Sequence, residues 1–185
     1  MEDKKLFSLI QEELQRQENT IDLIASENYT SPEVLRAVGS VFSNKYAEGY
    51  PRKRYYQGNA VADDLEELAQ NRGLELFGLS PDEWSLNVQP YSGSPANLAV
   101  ILALVPPGEK FMGMELSMGG HLTHGHKVSI TGKLWKQIPY GVSKDTELLD
   151  YDALQELAVK EQPKLIIAGY TAYPRVVDFK KFREI

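Results

Sequence analysis

Short strand-like segments alternate with helical patterns in the second half of the chain, and this alternation constrains the fold more than any other sequence feature. Strands are predicted at residues 86–89, 110–114, 136–140 and 164–168, and helices at 94–105 and 151–160. Strands separated by helices usually lie parallel, with helices covering the sheet. The pattern therefore predicts an α/β fold whose mainly parallel mixed sheet carries helices on both faces.

The first 78 residues lack this alternation and predict helices instead. Those helices are expected at residues 6–14, 31–38 and 61–77. Apolar residues at every fourth position among charged neighbours favour the first helix. Ser31 followed by Pro32 is typical of a helix start, and Asn59 can cap the third helix. We therefore expect a helical N-terminal segment before the sheet.

The composition narrows the classes of partner. A net charge of -6, from 26 acidic and 20 basic residues, gives no support to nonspecific binding of nucleic acid or of a membrane surface. The lack of cysteine excludes disulfides, thiolate metal sites and thiol nucleophiles. The sequence has no long apolar run, so neither a signal peptide nor a membrane span is expected. The expected location is the cytoplasm.

Residues 44–59, the tyrosine-rich segment, hold four tyrosines, four cationic side chains and one glutamate. An ordinary turn would use glycine, proline, asparagine and aspartate. Phenol groups interleaved with arginine and lysine instead offer aromatic faces, neutral donors and positive charge for an anion. We interpret the segment as facing a ligand. From these residues alone, two alternative interpretations stay open. Glu48 can be a solvated loop charge, and Tyr55 can be an aromatic residue that packs in the fold.

The loop after the first predicted strand contains Ser92, Gly93 and Ser94 at the start of a predicted helix. Ligands of parallel sheets bind beyond the carboxyl ends of the strands. Ser94 can cap this helix, and the free amides of a helix start bind anions. The sequence thus predicts an anion site, and a glycine-containing turn with an ordinary serine cap remains the alternative.

All three histidines lie in the glycine-rich loop 118–126. His121, His124 and His126 could in principle bind zinc, but Gly119, Gly120 and Gly125 interrupt any helix that would align the rings. No metal site is therefore expected. A flat imidazole stacked on a cofactor ring, with glycines that permit close backbone approach, fits the pattern better. For His126, the interpretation as a hydrogen-bonded histidine of the core also stays open.

Several motifs occur together in one order along the chain. They are residues 23–29 (LIASENY), 44–51 (NKYAEGYP), 54–56 (RYY), 87–97 (NVQPYSGSPAN), 119–125 (GGHLTHG) and 163–169 (PKLIIAG). Together they cover nearly the whole chain and resemble the serine hydroxymethyltransferase family, pyridoxal-phosphate enzymes of the aspartate-aminotransferase fold type. No one of these motifs would suffice.

The resemblance implies a fold and an activity. The fold would be part of the large domain of pyridoxal-phosphate fold type I, preceded by the N-terminal helical segment. Residues 1–58 would form a helical arm with an active-site and dimer segment, and residues 59–185 the first part of the cofactor-binding domain. The activity would transfer the hydroxymethyl carbon of serine to tetrahydrofolate, leaving glycine, in a homodimer or homotetramer whose active sites are shared between subunits.

The resemblance also assigns roles to residues. The catalytic residues would be Glu48 and His121. The cofactor-binding residues would be Ser26, Tyr46, Tyr56, Ser92, Gly93, Ser94, His121 and Thr171. Contacts to substrate and folate would come from Glu48, Tyr55, Leu116, Gly120 and Leu122. A carboxyl group such as Glu48, placed between aromatic rings, would be desolvated and suited to carry a proton near neutrality.

Two departures from the family pattern qualify this assignment. Relatives usually carry glycine where this chain has Arg52 and Gln57, and arginine is strained wherever glycine adopts a positive backbone angle. In addition, the family's Schiff-base lysine belongs to a later motif that no lysine here matches. We therefore expect an amino-terminal portion of the enzyme that is inactive alone. The alternatives are a noncatalytic fragment and a fold-type I aldolase acting on hydroxy amino acids.

Overall fold

A computed structural model describes residues 3–185 as an α/β protein with helices and two small sheets. The helices are α1 (Lys4–Glu18), α2 (Pro32–Val38), α3 (Ala60–Leu76), α4 (Gly93–Leu104), α5 (Ile130–Leu134), α6 (Tyr151–Glu161) and α7 (Phe179–Glu184). The strands are β1 (Gly49–Tyr50), β2 (Lys53–Arg54), β3 (Lys110–Met114) and β4 (Lys136–Tyr140). The chain divides into two compact units, one ending at Gly78 and one spanning Leu79–Ile185.

The amino-terminal unit contains the predicted helices, and local side chains fix where they begin. Asp3 accepts a hydrogen bond from the Leu6 amide at the start of α1, and Ser31 caps α2 as predicted. Asn59 does occupy the cap position of α3, but its side chain makes no capping bond. It donates instead to the Tyr56 carbonyl over 2.9 Å, because the preceding turn brings that oxygen within reach. The predicted capping bond is therefore wrong.

The tyrosine-rich segment folds into a small hairpin that the sequence did not predict. β1 and β2 pair antiparallel through Gly49 with Arg54 and Tyr50 with Lys53. The two-residue turn between them consists of Pro51 and Arg52, and Arg52 has a φ of 62°. Such an angle favours glycine at this place in a turn. The hairpin therefore contains the strained arginine that the family comparison led us to expect.

The carboxy-terminal unit is built around β3. β4 lies parallel to it, with Lys110 opposite Lys136 and Met114 opposite Tyr140. Residues 164–168 run parallel on the other edge, where the Met112 amide donates to the Leu165 carbonyl over 2.8 Å. β3 is thus the middle of three segments. Their parallel arrangement agrees with the alternating pattern, which did not predict their order. The third segment is half-buried rather than fully buried and forms a single bridge.

Two apolar clusters hold helices against this sheet. Met112, Met114 and Tyr140 pack with Leu154 and Ala158 of α6. The second cluster consists of Ile101, Val105, Phe111 and Trp135. Successive residues of β3 thus contribute to different clusters, as expected because alternate side chains of a strand point to opposite faces. The two clusters explain why β3 is the most buried strand of the unit.

One predicted strand does not form. Residues 86–89 have no strand pairing, and the Asn87 side chain accepts a hydrogen bond from the Gln89 amide over 2.9 Å. Asparagine side chains commonly form such local bonds, which compete with the regular ladder of a sheet. The prediction of a strand at 86–89 is therefore wrong. Among residues 3–185, no helix is both long and apolar enough to cross a membrane.

Candidate active site

The start of α4 and the loops that follow β3 and residues 164–168 converge on one pocket in the carboxy-terminal unit. Its volume is about 380 Å³. The lining combines a helix start, two imidazoles and several hydroxyl groups, from Ser92, Gly93, Ser94, Asn97, His121, His124, Tyr170 and Thr171. Five predicted site residues therefore meet here, namely Ser92, Gly93, Ser94, His121 and Thr171.

The helix start at α4 forms one wall of the pocket. Ser92 occupies the cap position in an extended conformation, and its side chain makes no capping bond. The predicted cap at Ser94 is wrong, because the helix begins at Gly93 and places Ser94 within its first turn. Both serines are exposed, and the first amides of a helix have no partner inside it. This wall can accept an anion.

The His121 ring is held by the short 3₁₀ helix Leu122–His124. Its Nδ1 atom accepts from the Thr123 amide over 3.1 Å and lies 2.8 Å from the Thr123 hydroxyl. The His124 Nδ1 atom accepts in turn from the His121 amide over 3.2 Å. Burial lowers the pKa of His124, and the nearby His121 ring lowers it further. Each of the two imidazoles thus accepts a hydrogen bond from a backbone amide of the same turn.

Glycine at position 120 permits this turn to approach β3. A Cβ atom there would collide with the Met114 carbonyl, which is rigid backbone. The preceding Gly119 has a φ of 109°, a conformation that side chains rarely adopt. The Thr171 amide donates to the Gly119 carbonyl over 2.8 Å. The glycine pair therefore brings the histidine loop and the Thr171 loop together.

The amino-terminal unit contains a second group of predicted site residues. The Tyr46 hydroxyl donates to Glu48 over 2.7 Å, and the Tyr46 and Tyr56 rings meet edge to face with centroids 5.3 Å apart. The accepting carboxylate raises the pKa of the Tyr46 phenol. Glu48 is exposed, so the desolvated carboxyl that the sequence predicted is not found in this chain. Its described aromatic donor is the Tyr46 hydroxyl, and the neighbouring Tyr55 is also exposed.

Arg54 anchors the tyrosine-rich segment to α3. Its guanidinium group donates to Asp63 over 2.8 Å and to Glu66 over 2.6 Å, and it also bonds the Ala47 and Gly49 carbonyls. Only 5% of the Arg54 side chain is exposed. A buried guanidinium group that makes four hydrogen bonds, two of them to backbone carbonyls, fixes backbone as well as side chains. The sequence interpretation had treated Arg54 as positive charge for a ligand, whereas the structure uses it internally.

Arg52 forms a second, exposed connection to the same helix. It donates to both oxygens of Glu67, over 2.9 and 2.8 Å, and also pairs with Asp64. About half of its side chain, 54%, is exposed. The ion pairs of Arg52 therefore offset part of the strain of its positive φ.

Substituting Arg52 tests this balance. We expect Arg52→Gly to be more stable than Arg52→Ala by about fivefold in the folding equilibrium, because only glycine relaxes at a positive φ. The stability of the wild-type chain relative to Arg52→Gly should fall at about 1 M salt, where exposed ion pairs are screened. Urea titrations at low and high salt measure both effects. If the glycine and alanine variants are equally stable, the claim that the positive φ of Arg52 is strained is wrong.

The remaining predicted residues are not among those that line this pocket. Ser26 is exposed and lines a separate concavity with Arg16 and Tyr29. Leu116 and Leu122 lie on short 3₁₀ helices after β3 and are partly exposed. The part of the chain that the structure describes contains no group of three or more side chains able to hold a metal.

Sequence reasoning missed three lining residues, Asn97, His124 and Tyr170. Two of them were available in the motifs. Asn97 follows Ser94 by three positions and His124 follows His121 by three, which is the spacing of side chains on one face of a helical turn. Tyr170 had no such signal, because its position depends on the third parallel segment.

These features define an α/β chain in which a helix start, a histidine and a hydroxyl-bearing loop meet beyond the ends of parallel segments. The sequence model of the serine hydroxymethyltransferase family matches residues 1–185. The chain belongs to this family.

Similar proteins named serine hydroxymethyltransferase occur in several bacteria. The protein of Crocosphaera subtropica is 58% identical over 183 residues, which cover 99% of this chain and 42% of that relative. The protein of Borrelia duttonii is 56% identical over 185 residues, covering 100% of this chain and 43% of the relative. The protein of Nostoc punctiforme is 56% identical over 183 residues, covering 99% and 42%. The chain thus spans less than half the length of these curated relatives.

Proposed function

We propose that this chain contributes the phosphate-binding and ring-stacking part of a serine hydroxymethyltransferase. The enzyme would transfer the hydroxymethyl carbon of serine reversibly to tetrahydrofolate and leave glycine. The observation that carries the proposal is the pocket in which Ser92, Gly93 and Ser94 adjoin His121 and Thr171. Membership in the family and the match over the whole chain support the same reaction.

The donor set fits pyridoxal phosphate. The amides of Gly93 and Ser94 with the two serine hydroxyls would hold the phosphate, since a helix start favours an anion. His121 would lie against the pyridine ring, and Thr171 beside its phenolic oxygen. When bound, pyridoxal phosphate supplies an electron sink for the bonds of the amino acid's α-carbon.

The amino-terminal unit would serve the substrate and the folate. Glu48 would exchange a proton with the serine hydroxyl, and the Tyr46 hydroxyl orients its carboxylate. Tyr46 and Tyr56 would complete the cofactor site, Ser26 would contact cofactor or substrate, and Tyr55 would contact the folate. The folate would also meet the histidine loop through Leu116, Gly120 and Leu122.

The proposal extends to assembly and location. α1 exposes about half of Phe7 and Ile10, which suits burial against a partner subunit. We therefore propose a homodimer or homotetramer in the cytoplasm, with residues 1–58 as the shared arm and residues 59–185 as the beginning of a fold-type I large domain. We also propose that the Schiff-base lysine belongs to a motif that this chain does not carry; the pocket lining described among residues 3–185 includes no lysine.

Binding of pyridoxamine phosphate tests the phosphate site directly, because this ligand needs no lysine. We expect Ser94→Asp to weaken binding by roughly tenfold or more, since a carboxylate at the helix start repels the phosphate. Calorimetric titration of the 185-residue chain measures the affinity. Ser85→Asp is the matched control, because Ser85 is exposed and lies outside the pocket. Equal affinity of both variants would contradict the phosphate assignment.

A further inference from the structure

The donor at the His121 Nδ1 atom restricts the form of its ring. A backbone N–H can only donate, and the Thr123 amide points at Nδ1 over 3.1 Å. Nδ1 must therefore carry a lone pair, so the remaining proton of a neutral imidazole resides on Nε2. The same argument applies to His124, whose Nδ1 atom accepts from the His121 amide.

A second donor reinforces this restriction through Asn97. The Asn97 amide donates from Nδ2 to the Thr123 hydroxyl over 2.9 Å. That hydroxyl lies 2.8 Å from the His121 Nδ1 atom. Because Nδ1 has no proton to give, the hydroxyl must donate to it, while the hydroxyl lone pairs accept from Asn97. The three side chains thus form a relay that runs in one direction, from Asn97 through Thr123 to His121.

The described lining of the pocket contains no charged side chain beside the His121 ring. The residues lining the described pocket include no carboxylate and no lysine or arginine. The neighbouring His124 ring is buried with its pKa lowered, so it stays neutral near neutrality. Thr123, the middle of the relay, is buried, whereas Asn97 is exposed and His121 is half-buried. The hydrogen bonds of the relay are thus part-buried, and two of them converge on the His121 Nδ1 atom.

We propose that Asn97 and Thr123 are positioning residues that hold His121 as a neutral ring with its proton on Nε2. The consequence of this ring form for the reaction rests on the proposed function. A neutral ring would stack on the cofactor and donate from Nε2, while Glu48 exchanges the substrate proton. His121 would then be a catalytic residue through contact with the cofactor, without gaining or losing a proton during turnover.

Nitrogen NMR of the 185-residue chain tests the ring form. The chain has only three histidines, so ¹⁵N-histidine labelling gives three ring systems that His→Gln variants assign. We expect the Nε2–H form for His121 in the wild-type chain. Thr123→Ser keeps the hydroxyl and should leave the tautomer ratio unchanged. Thr123→Val should shift the ratio about fivefold towards Nδ1–H, as expected for one lost hydrogen bond.

Asn97→Asp provides the sharpest variant because it reverses the relay. A carboxylate only accepts, so it would take the Thr123 hydroxyl proton and turn the hydroxyl lone pair towards His121. The Nδ1–H or doubly protonated form should then rise more than in Thr123→Val. Unchanged ratios in both variants, or a wild-type ring protonated on Nδ1, would overturn the proposal. The wild-type spectrum alone decides the tautomer if a variant fails to fold.

Addition of pyridoxamine phosphate separates this inference from the proposed function. Perturbed His121 signals on binding support both. A ring in the Nε2–H form with no response to the ligand would leave the positioning role of Asn97 and Thr123 intact and would remove the cofactor assignment. If the ring is in the Nδ1–H form but its signals respond to the ligand, the cofactor assignment stands and the positioning role of Asn97 and Thr123 is overturned.

Discussion

Replacing Arg54 with methionine is expected to lower the thermal midpoint of the amino-terminal unit by roughly 10 °C or more. Methionine matches the length of the arginine stem but leaves Asp63 and Glu66 without their cation. Both carboxylates are largely buried, with 8% and 13% of their side chains exposed. Removing one partner of a buried ion pair is strongly destabilising, because the other charge stays desolvated. Circular dichroism during heating measures the midpoint.

Arg52→Met is the matched control for this prediction. It removes the neighbouring arginine from the same hairpin, but the Arg52 pairs are exposed and should contribute little. Its midpoint should fall by only a few degrees. Similar losses in the two variants would show that Arg54 is no more important than an ordinary surface charge.

The pH dependence of stability gives an independent check on Arg54. Its hydrogen bond holds the pKa of Asp63 below the ordinary value of 3.8. A carboxyl with a lowered folded pKa stabilises the fold above its unfolded pKa, and that contribution is lost as the pH falls through the folded value. Wild-type stability should therefore decline below about pH 4. The decline should be flatter in Arg54→Met, where the pair is absent.

Glu48→Gln in the complete enzyme is expected to lower folate-dependent turnover by about a hundredfold, the usual scale for losing a general acid or base. Glutamine keeps the size of the side chain and can still accept from the Tyr46 hydroxyl, but it cannot exchange a proton. Cofactor binding should stay nearly intact. Steady-state rates and a cofactor titration measure the two effects separately.

Glu33→Gln is a suitable control, because Glu33 is an exposed carboxylate on α2. It should leave turnover and cofactor binding unchanged. Full turnover in Glu48→Gln would remove Glu48 from the mechanism. Loss of cofactor binding in that variant would assign Glu48 a structural role instead.

The sequence predicted the elements whose patterns are local. The Ser31 cap of α2 and the apolar spacing of α1 depend only on residues close in sequence, and both helices form. β3 and β4 were also predicted, because short apolar segments between helical patterns are typical of parallel strands. Their pairing follows from the same alternation.

The errors arose where a side chain competes with the backbone pattern. Asn87 binds the nearby Gln89 amide, so an apolar segment that resembled a strand stays irregular. Asn59 turns back to Tyr56 rather than capping α3. Propensity and spacing give no information on which of two local hydrogen bonds prevails.

The site was predictable in its residues but only partly in its geometry. The family resemblance named Ser92 to Ser94, His121 and Thr171, and one pocket contains them all. The relay from Asn97 to Thr123 was not predictable, because it links residues 26 positions apart through one hydrogen bond. The internal use of Arg54 was missed because a cluster of cations does not reveal its own carboxylate partners.

The folate dependence of serine cleavage by the complete enzyme tests the central claim most directly. Glycine formed from serine is measured with and without tetrahydrofolate at saturating pyridoxal phosphate. The account predicts rapid glycine formation only with tetrahydrofolate, and its loss in Glu48→Gln. Equal rates with and without tetrahydrofolate would contradict the account and favour an aldolase that acts on hydroxy amino acids.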